Sequence, residues 1–157
     1  MSERLVARDY NNQVYSCGLI SDVTYRFFEN GYLLSTSMYC DDLARWIPIQ
    51  LSWIRGLSEK YYTSHFTTLF QQFIIPDLTP DERETLSRQV VDFSEAQRIG
   101  FLNAFKTVFK QKDDVVVLKH LKGCHQHYRA GVTRLKRNRQ IVAAEEEVSL
   151  LILLKQV

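Results

Sequence analysis

Residues 89–97 read Gln89-Val90-Val91-Asp92-Phe93-Ser94-Glu95-Ala96-Gln97, and the change of character inside this stretch decides what kind of fold the chain makes. Val90 and Val91 form a short buried strand. Ser94, with Gln97 three residues later, is a capping box that opens a helix. Ile99, Leu102, Phe105 and Phe109 then recur at helical spacing and define its apolar face. A strand running straight into a helix is the unit of an α/β sheet. Asp92 stands at the strand's carboxyl end, where such sheets leave a crevice for ligands.

Working back towards the amino terminus, residues 14–28 are dense in β-branched and aromatic side chains, and Glu29-Asn30-Gly31 supplies the Asn-Gly pair that favours a type I′ hairpin turn. A second strand follows over 32–39, Cys40-Asp41-Asp42 reads as a polar turn, and a third strand runs from about 46 to 54. Pro48 places that third strand at an edge, or at a strand start. The expected result is a three-stranded antiparallel meander. Beyond it the period becomes helical: Tyr62, Phe66, Leu69, Phe70 and Phe73 follow Ser58 as N-cap, with Pro76 beyond the end. Thr79-Pro80-Asp81-Glu82 is a second capping box, for a helix to about Arg88, which leaves 76–80 as a loop. Val115 to Leu118 reads either as a short strand or as a first helical turn. The preferred reading is a strand, followed by a helix through Cys124 to Arg137. Trp46, Trp53 and the tyrosines fall at core periods and are expected to pack inside.

The composition supports one domain over 1–157, since 157 residues with 45% hydrophobic content can bury a sizeable core. A net charge of +2 does not by itself select a partner. Cys17, Cys40 and Cys124 are an odd set without a disulfide rhythm, as in a reducing compartment. The sequence holds no signal-like segment and no apolar run of the roughly 18–20 residues that span a bilayer, so a soluble, unsecreted protein with no membrane partner is expected. Near the end, Glu145-Glu146-Glu147 leads into the apolar stretch Leu150-Leu151-Ile152-Leu153-Leu154. An abrupt stop at Val157 reads as a C-terminally truncated fragment.

Asp22 lies inside the β-rich run Cys17-Gly18-Leu19-Ile20-Ser21-Asp22-Val23-Thr24-Tyr25. Burying an ionised carboxylate is costly unless it is paired or binds a metal. Together with Asp92 it raises the possibility of a shared cation site, because phosphodiester hydrolysis by divalent metals needs carboxylates that hold the ions beside the attacking and leaving oxygens. Both residues also admit a plainer reading, in which Asp92 accompanies the Ser94 cap and Asp22 points to the wet face of a half-exposed strand.

The order of these features, a strand with Asp22-Val23-Thr24-Tyr25, an Asn-Gly hairpin, a third strand, a long helix, Asp92-Phe93-Ser94 before a further helix, then Gly123-Cys124-His125-Gln126-His127, resembles the catalytic domain of Mutator-like element (MULE) transposases, fungal members most of all. The resemblance implies an α/β, RNase H-like mixed sheet, with three antiparallel strands followed by parallel ones and flanking helices, here incomplete at the C-terminus. It implies that Asp22 and Asp92 are catalytic and hold Mg²⁺ or Mn²⁺, that Cys124 and His127 form the family's C-x-x-H motif, and that intact relatives cut DNA and transfer the strand in the nucleus. Transposon ends and target DNA are the implied partners, with a homo-oligomer as a further expectation.

The family's third acid, a glutamate on a late helix, is not found. Glu145, Glu146 and Glu147 follow the C-x-x-H too closely and read as a solvated helix start, so the sequence leaves catalytic activity open. The family's zinc-knuckle and DNA-binding segments are not visible either. Cys124 and His127 supply two of the four ligands that structural zinc requires, and His120, His125 and Cys17 complete no recognised spacing, so zinc is not expected. Lys119, Lys122, Arg129, Arg134, Lys136, Arg137 and Arg139 form a basic stripe with no acid between them, either a solvated face or a phosphate-binding one. Two other functions stay open: a decayed or domesticated transposase domain that binds DNA through this stripe, and an α/β interaction domain that docks by its apolar tail.

Overall fold

Strand β1 (Leu19–Thr24) alternates buried Leu19, Ser21 and Val23 with exposed Asp22 and Thr24, so one face of the sheet looks into the core and the other away from it. It pairs antiparallel with β2 (Tyr32–Cys40), which pairs antiparallel with β3 (Arg45–Ile54). On its other side β1 pairs parallel with β4 (Gln89–Val91), which pairs parallel with β5 (Leu121–Gly123). The result is an open, five-stranded mixed α/β sheet of order β3-β2-β1-β4-β5. The computed structural model describes residues 18–40, 42–92 and 94–124, with positions 127, 130, 133 and 134 beyond them. The chain divides into two units, 1–123 and 124–157, and the sheet belongs to the first.

The helices that cover the core face are α1 (Glu59–Leu69), continued by a π-helical turn over Phe70–Ile74 and by α2 (Ile75–Asp77), then α3 (Pro80–Leu86), α4 (Glu95–Phe109) and α5 (Asp114–Leu118). Phe66 and Phe70 meet Phe101, Phe105 and Phe109 in a ladder of rings whose neighbouring centroids lie 4.5–5.8 Å apart, mostly edge-on or tilted. Edge-on contact suits the ring quadrupoles and adds to the area buried. Where α1 and α4 cross, Gly100 leaves no room for a side chain: a Cβ there would stand 2.9 Å from Thr63 N and 3.0 Å from Glu59 O, and closer still to Tyr62 Cβ.

Several elements match the sequence reading and several correct it. β3 is an edge strand, one of the two placements Pro48 allows, and a register shift between Thr36 and Ser37 falls opposite the proline. The Thr79–Glu82 capping box forms in full. The type I′ hairpin does not form. β1 stops at Thr24 and residues 25–31 make a longer loop, because Asn30 and Gly31 dock on the edge strand instead: Trp53 Nε1 donates to Asn30 O at 2.9 Å, and a Cβ on Gly31 (φ 88) would lie 2.6 Å from Ile54 O. Pro76 lies within the helical run rather than after it. The wider turn lets Ile75 N–H reach back to Phe70 O, and the chain becomes extended only at Leu78.

Residues 115–118 are helical, not extended, since Asp113 caps them by accepting Val115 N at 2.8 Å; the strand comes three residues later, at Leu121–Gly123. Ser94 does accept Gln97 N, yet Gln97 does not reach back to complete a box, because its side chain is fully buried and donates to Ser21 O. Trp46 and Trp53, expected inside, are exposed on the sheet face that looks away from α1 and α4. Positions 127, 130, 133 and 134 are helical, as the expected helix through Cys124–Arg137 requires, and the rest of that span lies outside the described residues, as does Cys17. No helix among the described residues is long and apolar enough to cross a membrane.

Candidate carboxylate site

The pairing of β1 with β4 aligns Ile20 with Val90. Asp22 stands two residues beyond Ile20 and Asp92 two beyond Val90, so the parallel register carries both carboxylates to the same end of two neighbouring strands. Asp22 is exposed, on the face opposite Ser21 and Val23. The cost of burying a charge therefore does not arise at Asp22. Asp92 is half-buried just past the end of β4, where its Oδ1 accepts Ser94 N at 2.9 Å. That bond fixes one oxygen by local chain geometry and leaves the other for a ligand.

Tyr62, reaching in from α1, is a member of this site that the sequence reading assigned only to the core. Burial pushes its hydroxyl up to about 12; the nearby charges of Asp92 and Tyr25 add to the rise, a hydrogen bond with Ser94 opposes it, and Tyr32 adds a smaller rise. The phenol therefore stays neutral and ties α1 to the start of α4 beside Asp92. Tyr25 and Tyr32 meet edge-on at 5.4 Å and form the rim of the β1–β2 loop. No sequence period marks Tyr62 as a site residue, because its spacing is that of the core helix. Its hydroxyl is the sole hint, since a buried tyrosine needs a polar partner.

Beneath Asp22, on the core face, a relay of side chains crosses four strands. Ser21 Oγ donates to Gln89 Oε1 at 3.0 Å and lies 2.7 Å from Thr36 Oγ1, which lies 2.7 Å from His65 Nε2. Ser21 has one proton, and it goes to Gln89. Thr36 must then donate to Ser21, and His65 must donate to Thr36 from Nε2. This leaves His65 Nδ1 as an acceptor for Ser52 Oγ at 2.7 Å and Gln50 Nε2 at 3.1 Å. Burial alone lowers the His65 pKa from 6.5 to about 4, in keeping with a ring held neutral. The relay holds β1, β2, β3 and β4 in register around the strand that carries Asp22.

No group of three or more His, Cys, Asp or Glu side chains suited to a metal occurs among the described residues. Cys124 is a half-buried free thiol and His127 is helical, but His125 lies outside the described residues. Glu145, Glu146 and Glu147 lie outside them too. Of the basic stripe, Lys119 and Lys122 are exposed around β5 and Arg134 is exposed on helical backbone; Arg129, Lys136, Arg137 and Arg139 lie outside.

Fold and site together define an α/β protein on a five-stranded mixed sheet, with one acid on the central strand and a second at the end of its parallel neighbour. No protein-family model, curated protein or solved structure matches the chain.

Proposed function

We propose that this chain is the core of a DDE-type transposase of the Mutator-like class, RNase H-like in fold, acting on DNA with divalent cations. The observation that carries the reading is the register of β1 and β4, which brings Asp22 and Asp92 to adjacent strands at one sheet end from opposite sides of a long connection. The strand order, with three antiparallel strands first and two parallel strands added beside β1, supports it as well.

Two hard carboxylates, one of them exposed, suit Mg²⁺ or Mn²⁺, which keep several waters and take one or two protein carboxylates. Asp22 and Asp92 would hold the ion, and the bound cation would supply Lewis-acid polarisation of a phosphate and a water acidified towards hydroxide. The chain's own contribution is positional. Ser94 N fixes one Asp92 oxygen, Tyr62 fixes Ser94, and the Ser21–Thr36–His65 relay holds the strand bearing Asp22. Lys119 and Lys122, exposed beside β5, would add sequence-independent attraction to the phosphate backbone. DNA as partner, nuclear residence, self-association and a C-x-x-H role for Cys124 and His127 belong to the same proposal.

The test is Mn²⁺- or Mg²⁺-dependent nicking of supercoiled DNA by the chain, by Asp22→Asn and by Asp92→Asn. The amide introduced by Asp92→Asn keeps an oxygen for Ser94 N, so the local turn survives while the charge is lost. Nicking that disappears in both variants supports the reading. Equal nicking in all three proteins removes the catalytic role, and salt-sensitive DNA binding that survives both substitutions without nicking points to a non-catalytic DNA-binding module.

A further inference from the structure

A cleft of about 380 Å³ opens at the amino-terminal ends of β4 and β5, the sheet end opposite the carboxylates. Its volume lies within the range of small-molecule sites, roughly 300–1,000 Å³. Phe105 and Phe109 from the last turns of α4, with Ile75 and Val116, give it apolar walls. Its polar groups come from α3 and Ser87 just after it, from Gln111 between α4 and α5, and from His120 before β5.

Their bonds are unevenly settled. Glu84 Oε1 faces His120 Nε2 at 2.9 Å and lies 3.8 Å from Arg88 Nη2, so that oxygen is engaged. His120 is 8% exposed and tilts over Phe105 with ring centroids 4.8 Å apart, and its other nitrogen faces Val116 O at 3.3 Å. Both ring nitrogens thus face oxygens, and the ring offers the cleft no acceptor. Gln111 Oε1 already accepts Lys112 N and Asp113 N.

Arg83 differs. Its Nη2 donates to Ile75 O at 2.6 Å, its buried Nε has no partner, and it pairs with no carboxylate among the described residues. A guanidinium carries five N–H donors in a planar fork that matches a carboxylate. The cleft therefore combines a carboxylate already engaged through one oxygen, a guanidinium with no carboxylate partner among the described residues, and aromatic walls.

We infer that this cleft binds a small aromatic monocarboxylate, with the carboxylate on the Arg83 guanidinium and the ring against Phe105 and Phe109. The inference is independent of the reading of Asp22 and Asp92. The probe is benzoate, titrated into the ¹⁵N-labelled chain and followed by amide shifts, with benzyl alcohol as the uncharged counterpart. Shifts should cluster at residues 83–87, 105–111 and 116–120 with Kd on the order of 1 mM or tighter. Benzyl alcohol should bind about tenfold more weakly, as should benzoate to Arg83→Gln, since a charge-assisted bond is lost in each case. Val116→Phe, which adds bulk to the cleft wall contributed by α5, should abolish the shifts while thermal unfolding stays cooperative. The inference is overturned if benzoate shifts none of these amides, if the alcohol binds equally well, or if Val116→Phe binds as the parent does.

Discussion

Gly100→Ala is the sharpest probe of the helix pair that supports the site. Taken alone, the substitution should help, because alanine exceeds glycine in a helix interior by about 1 kcal/mol. In this structure the new methyl would stand 2.9 Å from Thr63 N and 3.0 Å from Glu59 O, nearer still to Tyr62 Cβ, and those neighbours are helix backbone and the root of a side chain that cannot swing aside. Helix α1 must therefore move away from α4. A radial gap of about 0.5–1 Å already forfeits a quarter to a half of each dispersion contact. The Phe66, Phe70, Phe101 and Phe105 rings lie across that same interface. Overpacking of this kind costs about 1–3 kcal/mol, occasionally more, so a net destabilisation of about 1–3 kcal/mol is expected. Urea unfolding followed by far-ultraviolet circular dichroism measures it, with the midpoint falling at unchanged slope. A midpoint equal to or above the parent's would refute the packing argument, because helix propensity would then outweigh the crossing.

Three further outcomes follow from particular bonds. His65 is held at about 4 against 6.5 in the unfolded chain, so its stabilising contribution is complete above pH 6.5 and lost as pH falls through that window towards 4, by up to about 3 kcal/mol. His65→Gln should flatten the dependence of unfolding free energy on pH between 6.5 and 4, and an unchanged slope would remove His65 as its source. Ser94→Ala should cost about 1 kcal/mol or somewhat more in chemical unfolding, since it removes both the cap on Gln97 N and the Tyr62 partner. Tyr62→Phe, which keeps the ring, should lower stability by less than Ser94→Ala; a larger loss would mean that the phenol has a further partner.

The strands were legible wherever alternation or proline chemistry imposed them. β2 and β3 fall within a residue of the reading, and of the two places Pro48 allowed, an edge or a strand start, the sheet takes the edge. Local geometry misled where a tertiary contact overrode it. Asn30-Gly31 has the chemistry of a tight turn, but Trp53 captures it for the edge strand. Gln97 has the spacing of a capping box, but Ser21 O draws it inward. The β-branched content of Val115–Leu118 pointed to a strand and misled, because one capping aspartate, Asp113, outweighs the propensity of three valines. Asp22 and Asp92 were visible from their settings. Tyr62 and the polar relay were not, because Ser21, Thr36, Gln89 and His65 look like ordinary members of amphipathic elements until the sheet aligns them.

The proposed chemistry requires Asp22 and Asp92 to serve one ion. Mn²⁺ titration of the chain, read as the loss of the free-ion electron paramagnetic resonance signal, tests this without depending on turnover. Binding by the parent that weakens at least about tenfold in Asp22→Asn and in Asp92→Asn alike is the expected result. Binding that either substitution leaves unchanged would contradict it.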